Sequence, residues 1–433
     1  MTEATAPPVT PMKRVAGACL VGSAIEFYDF LIYGTAAALV FPTVFFPQLS
    51  PTMGTIASMS TFASAFVSRP IGGAAFGYLG DRVGRKKTLV ATLVLMAVAT
   101  VSVGLVPRTE SIGVAAPLIL VALRLVQGFA AGGEWAGSVL LSAEYAPAGK
   151  RGRYGMFTLL GGGTAAVLSS LTFLGVSFTI GENSPAFLAW GWRIPFLISA
   201  VLIAIALYVR LRIDETPVFV AEKARTPVPR APIAELLRLQ RREIVLAAGS
   251  ILGGMSFAYM ANTYLTRYAH AELGYSRSFI WAVGALGGLV SITFVALSAT
   301  LSDRVGRRRM MLLGWAGCVP WGLLVIPLID TGNPALYAVA IVGMCAIGGI
   351  GSGPTGAFIP ELFATRYRYS GSALAVNLAG VVGGALPPLI AGTVQATYGS
   401  WAVGPMLAIL ALASFVSAYL LPETKGTDLH SGD

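Results

Sequence analysis

The chain has 433 residues, 55% of them hydrophobic and only 12% charged, with a formal net charge of +10. A soluble domain carries roughly a quarter charged residues, so this chain has too little polar surface to cover a core of its size and reads as an integral membrane protein. Its basic residues sit in short clusters between apolar runs, which argues against a nucleic-acid partner, and its scattered His270, His430, Cys19, Cys318 and Cys345 suggest neither a metal site nor a disulfide framework.

A spanning helix needs ~20 mostly apolar residues, and about twelve such segments follow one another along the chain. The first, 15–40, begins after Lys13 and Arg14 like a signal peptide. However, Glu26 and Asp29 interrupt it and no A-x-A site follows, so it is expected to be retained. The others are predicted at 53–80, 87–107, 114–146, 154–180 and 187–211, then 243–268, 277–301, 308–329, 335–358, 367–396 and 401–421. The long polar connection 212–242, with Pro217, Pro227, Pro229 and Pro232, divides them six and six. The expected organisation is thus a tail 1–14, a six-helix half 15–211, the loop 212–242, a second half 243–421 and a tail 422–433. Most of the 30 lysines and arginines fall on one side if both termini are cytoplasmic, the orientation that the bias toward basic inner loops predicts.

Two phrases recur. GYLGDRVGRKK at 77–87 returns as ATLSDRVGRRR at 299–309, and Glu144 with Arg151 seven positions on returns as Glu361 with Arg368. Two motifs in the same order at nearly the same offset indicate two related halves. The first phrase resembles the loop signature of the major facilitator superfamily, with Ala299 replacing a glycine in the second copy. LRLVQGFAAGG at 123–133 resembles that superfamily's fourth-helix motif. IEFYDFLIYG at 25–34, SRPIGG at 68–73, GGEW at 132–135, GWRIPFL at 191–197, ETPVF at 215–219 and PELF at 360–363 are similar to the metabolite:proton symporters within it. The resemblance implies an all-α fold of twelve transmembrane helices in two pseudo-symmetric halves. It also implies uptake of a small organic acid such as shikimate or α-ketoglutarate with protons, or of a zwitterion such as proline or betaine. A transporter-like receptor remains a further alternative. GGGTAAV at 161–167 does not match the drug-antiporter pattern, no GxxxxGK[ST] is present, and GSGPTG at 351–356 sits inside an apolar run where no dinucleotide binds. Neither an enzyme nor a cofactor is expected; the partners are substrate, protons and lipid, and the chain is expected to act as a monomer.

A charge at a helix centre costs about 2.5–3.5 kcal/mol on insertion scales, so acids and bases inside spans mark function or pairing. Glu26 and Asp29 are three apart, with Tyr33 four beyond, and Glu134 lies farther on. These three acids are the candidates for carrying the proton. In the resembled family a first-helix acid is implicated in coupling, which favours Asp29. The alternative is that each is a structural partner of Arg69 or Arg124. Those arginines, with Tyr33 and Gln127, are candidate substrate contacts, joined by Tyr259, Asn262, Tyr264 and Asn377 from the second half; each can equally hold helices together. Arg193, after Trp190 and Trp192, is expected at the membrane interface. The resemblance further implies a cytoplasmic gate of Gly77, Asp81, Arg82, Gly84, Arg85, Glu144 and Arg151, repeated by Asp303, Arg304, Gly306, Arg307, Glu361 and Arg368. Small-residue faces at Gly73, Gly128, Gly132, Gly380 and Gly384 are expected to let helices approach closely, and Pro387 and Pro388 to bend the eleventh span.

Overall fold

In lipid a backbone must satisfy its own polar groups, so long apolar segments become helices. The computed structural model describes residues 12–83, 85–147, 149–182, 184–211, 232–364 and 367–427, with the side chains at 13, 77, 78, 80–83, 85, 86, 143, 144, 210 and 232–234 outside that description. No strand occurs among the described residues. The first half comprises α1 (Met12–Leu39), α2 (Pro51–Val83), α3 (Arg85–Leu105), α4 (Ala115–Ala131), α5 (Glu134–Tyr145), α6 (Arg151–Ile180) and α7 (Ile194–Leu211). The second comprises α8 (Arg241–Asn262), α9 (Tyr264–Ala271), α10 (Arg277–Val305), α11 (Arg307–Asp330), α12 (Pro334–Ser352), α13 (Thr355–Glu361), α14 (Arg368–Ala379), α15 (Leu386–Tyr398) and α16 (Val403–Leu420). Short helical turns join several of them.

Among the described residues, eleven helical segments are long and apolar enough to cross a membrane. The twelfth span is α2: it has 33 residues, and serines, threonines, glycines and Arg69 dilute its apolarity. Four predicted spans are broken where the sequence weakens a helix. The fourth breaks at Gly132–Gly133 and the tenth at Gly353–Pro354. The seventh breaks at Thr263, and the eleventh widens into a π-helical turn over Gly380–Ala385. Glycine favours other backbone conformations, and Pro387 and Pro388 supply no N–H to the preceding turn. Within the predicted loop 212–242, residues 232–239 form a helix with Leu236 buried; 212–231 lie outside the described residues.

Buried apolar side chains gather in two clusters. One belongs to the first six spans and takes in Tyr259, Trp281 and Ala385 from the second half. The other belongs to the last six and takes in Trp135, Ala136 and Val139. The halves meet most extensively along α6 and α10. There Gly163 and Gly288 face one another, and a Cβ on Gly288 would lie 2.9 Å from the Gly163 carbonyl oxygen. Closer still is α2 against α4: a Cβ on Gly72 would stand 1.8 Å from the Phe129 carbonyl oxygen, and one on Gly128 1.8 Å from that of Ala65. Only glycine permits such backbone approach.

Candidate functional site

Between the halves lies a cavity of about 210 Å³. α1 contributes Phe27, Leu31 and Thr35, spaced by four along one helical face; α6, α8, α10 and α12 supply most of the rest, with Trp135 from α5, Thr266 from α9 and Thr355 from α13. Its polar lining includes Asn262, Thr266 and Ser291, its aromatic lining Trp135, Tyr259, Trp281 and Tyr337. Among the described residues, no aspartate, glutamate, lysine, arginine or histidine lines it. Of the expected substrate contacts, Tyr259 and Asn262 stand in the wall, where Asn262 donates to the Ala258 carbonyl one turn back.

The other expected contacts lie outside the lining. Tyr264 donates to Gln395 at 2.6 Å. Asn377 donates at 3.0 Å to the Gly132 carbonyl, and Tyr369 at 2.6 Å to that of Gly133, so the eleventh span serves the break in the fourth. Arg69, Arg124, Tyr33 and Gln127 form a buried polar layer on the side of α1 turned from the cavity. Glu26 and Arg69 make an ion pair at 3.2 Å, both almost wholly buried. Arg69 and Arg124 each lie over Phe30, 4.2 and 4.6 Å from its centroid. Arg124 also sits 4.0 Å over Tyr33, whose hydroxyl donates to Thr61. The negative ring faces hold these cations where no water reaches them.

Asp29 diverges from Glu26. Its two oxygens accept from Ser199 on α7 at 2.6 Å and Thr100 on α3 at 2.8 Å, and the residue is fully buried. Thr100 accepts from Gln127 at 2.6 Å, and Gln127 accepts from Arg124 at 2.9 Å. The expected shared face of Glu26, Asp29 and Tyr33 therefore splits, the first pairing with α2 and the second with α3 and α7. Thr100 and Ser199 escape sequence reading because a lone hydroxyl in an apolar span carries no motif. Glu134 is fully buried at the start of α5.

At the end of the bundle where the repeated phrases lie, the second copy converges. Asp303 accepts from the backbone amides of Gly152 and Arg153, each at 2.9 Å, capping α6 from the other half. Arg307 pairs with Asp303 at 2.9 Å and with Glu361 at 3.4 Å, and Arg151 reaches Glu361 at 4.0 Å. Arg368 is buried nearby in sequence at the start of α14. Gly306 has φ of +116°, and a Cβ there would meet the Glu423 carboxylate. Sequence reading missed the segment after α16: Glu423 accepts from the Arg307 amide at 2.8 Å, Thr424 donates to Glu361 at 2.6 Å, and Lys425 donates to the Arg304 carbonyl. The first copy's Gly77, Asp81, Arg82, Gly84 and Arg85, and Glu144, lie outside the described side chains.

At the opposite end Glu182 accepts from the amide and hydroxyl of Ser278, the first turn of α10. Burial pushes its carboxyl up, but those bonds, the Arg277 charge and Ser177 outweigh it and hold the carboxyl below its ordinary value of 4.5. Arg193, expected at the membrane interface, is buried against the protein and donates to the Gly104 and Val106 carbonyls at 2.7 Å; Trp192 is buried beside it, and Trp190 alone of the three is exposed.

A family model, Major Facilitator Superfamily, matches residues 20–388. The chain is 40% identical over 98% of its length to the inner membrane metabolite transport protein YhjE of Escherichia coli, covering 97% of that protein. It is 36% identical to the shikimate transporter of E. coli, over 95% of each chain. Identity to the E. coli proline/betaine transporter is 31%, over 96% of this chain and 85% of that one. Among solved structures, the partially occluded, inward-open xylose transporter XylE of E. coli matches with a TM-score of 0.73 at 19% identity, covering 96% of this chain and 99% of that one, a likeness of fold.

Proposed function

The chain belongs to the Major Facilitator Superfamily as a multi-pass membrane transporter of small metabolites, and from that premise we propose that it imports a small organic acid by proton symport through alternating access. The observation that carries this reading is the pairing of a charge-free cavity with a buried layer of two guanidiniums and two carboxylates immediately behind α1. Arg69 has an acid partner, whereas Arg124 bonds an amide and a backbone carbonyl. Its charge, with no carboxylate at contact distance among the described residues, favours an anion on the far side of the aromatic wall, and Tyr259, packed on Phe62 and Phe66, spans from that layer to the cavity. Asp29, held by hydroxyls and no cation at contact distance, is the acid placed to gain and lose a proton; Glu26 is the structural partner of Arg69.

In this reading the end bearing the repeated phrases is cytoplasmic, and its crossing bonds close the inward path until substrate and proton are bound. The proton gradient supplies the work, about 2.3 kcal/mol per charge across 100 mV. A zwitterion is the second reading: Trp135, Trp281 and Tyr337 around a wall without cations suit a quaternary ammonium group. Liposomes loaded with a pH dye and offered shikimate, α-ketoglutarate, citrate, L-proline and glycine betaine test both. Lumen acidification by an acid, abolished in D29N, is expected. Acidification by betaine or proline alone replaces the first reading with the second, and silence with the whole panel removes both.

A further inference from the structure

Hydrogen-bond polarity along the chain from Arg124 to Asp29 follows from donor chemistry. Arginine only donates, so the Gln127 oxygen must face Arg124 and its NH2 must face Thr100. The Thr100 hydroxyl therefore accepts from Gln127 and has one proton left to give. Two acceptors stand in reach, Asp29 at 2.8 Å and the Met96 carbonyl at 2.9 Å.

Both choices satisfy the Thr100 hydroxyl, and they correspond to different states of the acid. When Asp29 is ionised, Thr100 and Ser199 donate to its two oxygens, and the donors run in one direction from Arg124 to the carboxylate. When Asp29 is protonated, its own O–H donates to Thr100, which holds two acceptor sites and turns its proton to Met96. Among the described residues Ser199 has no second acceptor, so the proton's place is the oxygen facing Thr100. We propose that Thr100 is a positioning residue, a two-position hydroxyl that registers the protonation of Asp29 and links or unlinks it from Gln127 and Arg124. This deepens the proton-symport reading and rests on it. The proton arrives from and returns to solvent; Thr100 only reorients.

The charged groups facing this acid are Arg124 through the relay and Glu134 on α5, with Glu26 on its own helix and Arg69 on α2 beyond it. Arg193, before α7, is occupied by two carbonyls. Those neighbours are common to all Thr100 variants, so a difference between variants reports the hydroxyl.

The test is infrared titration of the carboxyl C=O band in purified wild type, D29N, T100V, T100A and T100S, which needs no substrate. A titrating band absent from D29N is expected. Losing the donor to the charged form should raise its midpoint by about one pH unit in T100V and T100A, with T100S restoring the wild-type value. Shikimate uptake should show the same displacement of its pH profile. An unshifted midpoint in T100V and T100A, or no band that D29N removes, overturns the proposal. A wild type with the band and its T100V shift but no solute-driven acidification overturns the symport reading while leaving the hydroxyl switch standing.

Discussion

Replacing Asp303 by asparagine tests whether the acid on α10 holds the basic end shut. Asp303 accepts two backbone amides at the N-terminus of α6, in the opposite half, both at 2.9 Å. Its contact with Arg307 lies within one half, so it is not counted in the cross-half energy. Asparagine keeps the shape but has a single oxygen, so one amide keeps a neutral acceptor and the other faces an NH2 that cannot accept. Weakening the first bond costs about 1 kcal/mol, losing the second about 1.5–3 kcal/mol, and losing the carboxylate from the helix N-terminus roughly 0.3–1 kcal/mol, so the closed form loses about 3–5 kcal/mol. At about 1.4 kcal/mol per factor of ten, the open fraction rises roughly 100- to 4000-fold.

The protein contains a reporter for this change. Cys345 lines the cavity, while Cys19 and Cys318 are buried. In a C19S/C318S background, maleimide labelling of Cys345 should quicken in D303N by at least ~100-fold, in proportion to the open population. An unchanged rate would show that Asp303 serves only its own half, and the cross-half cap would carry no gating energy.

The Glu26–Arg69 pair makes a second test. Neutralising one partner strands a buried charge at about 3–5 kcal/mol, so E26Q and R69Q should each unfold early in detergent, and the double variant should recover most of the loss. Additive losses refute the pairing. At the opposite end, the depressed Glu182 carboxyl stabilises the fold above the ordinary value of 4.5, and that contribution is lost as pH falls through the lower folded value. E182Q should therefore melt below wild type at pH 7, with the gap closing in acid; a gap that does not narrow as pH falls below 4.5 sinks the assignment.

The spans, their number and the second copy of the repeated phrase were legible because composition and spacing encode them. Arg307 and Glu361 meet as the repeat implies. Breaks within spans were legible in principle at Gly132–Gly133 and Pro354, but the widening before Pro387 requires knowing which carbonyls lose their donors. The site was legible as an inventory and not as an arrangement. Glu26 and Asp29, three apart, share a face by helical geometry, yet α2 takes Glu26 while α3 and α7 share Asp29. Which arginine has an acid, and whether a cavity touches either, depends on helix packing that no local pattern records. Thr100, Ser199 and Glu423 act through partners far along the chain.

α1 has a face in both compartments. Phe27, Leu31 and Thr35 hold the cavity wall, while Glu26, Asp29 and Tyr33 bond the helices behind it. A rotation of this helix by a fraction of a turn therefore changes the cavity's shape and the acid's partners together, without contact between solute and proton site. Gly34 sets where such a rotation is felt next: a Cβ there would lie 3.0 Å from Thr263, at the break between α8 and α9. Those segments carry Asn262 and Thr266 in the cavity wall. In the proposed symport, then, the mechanical coupling from the proton site to the second half runs through α1 and the break in the seventh span at Thr263, where a small displacement needs few backbone bonds to give way.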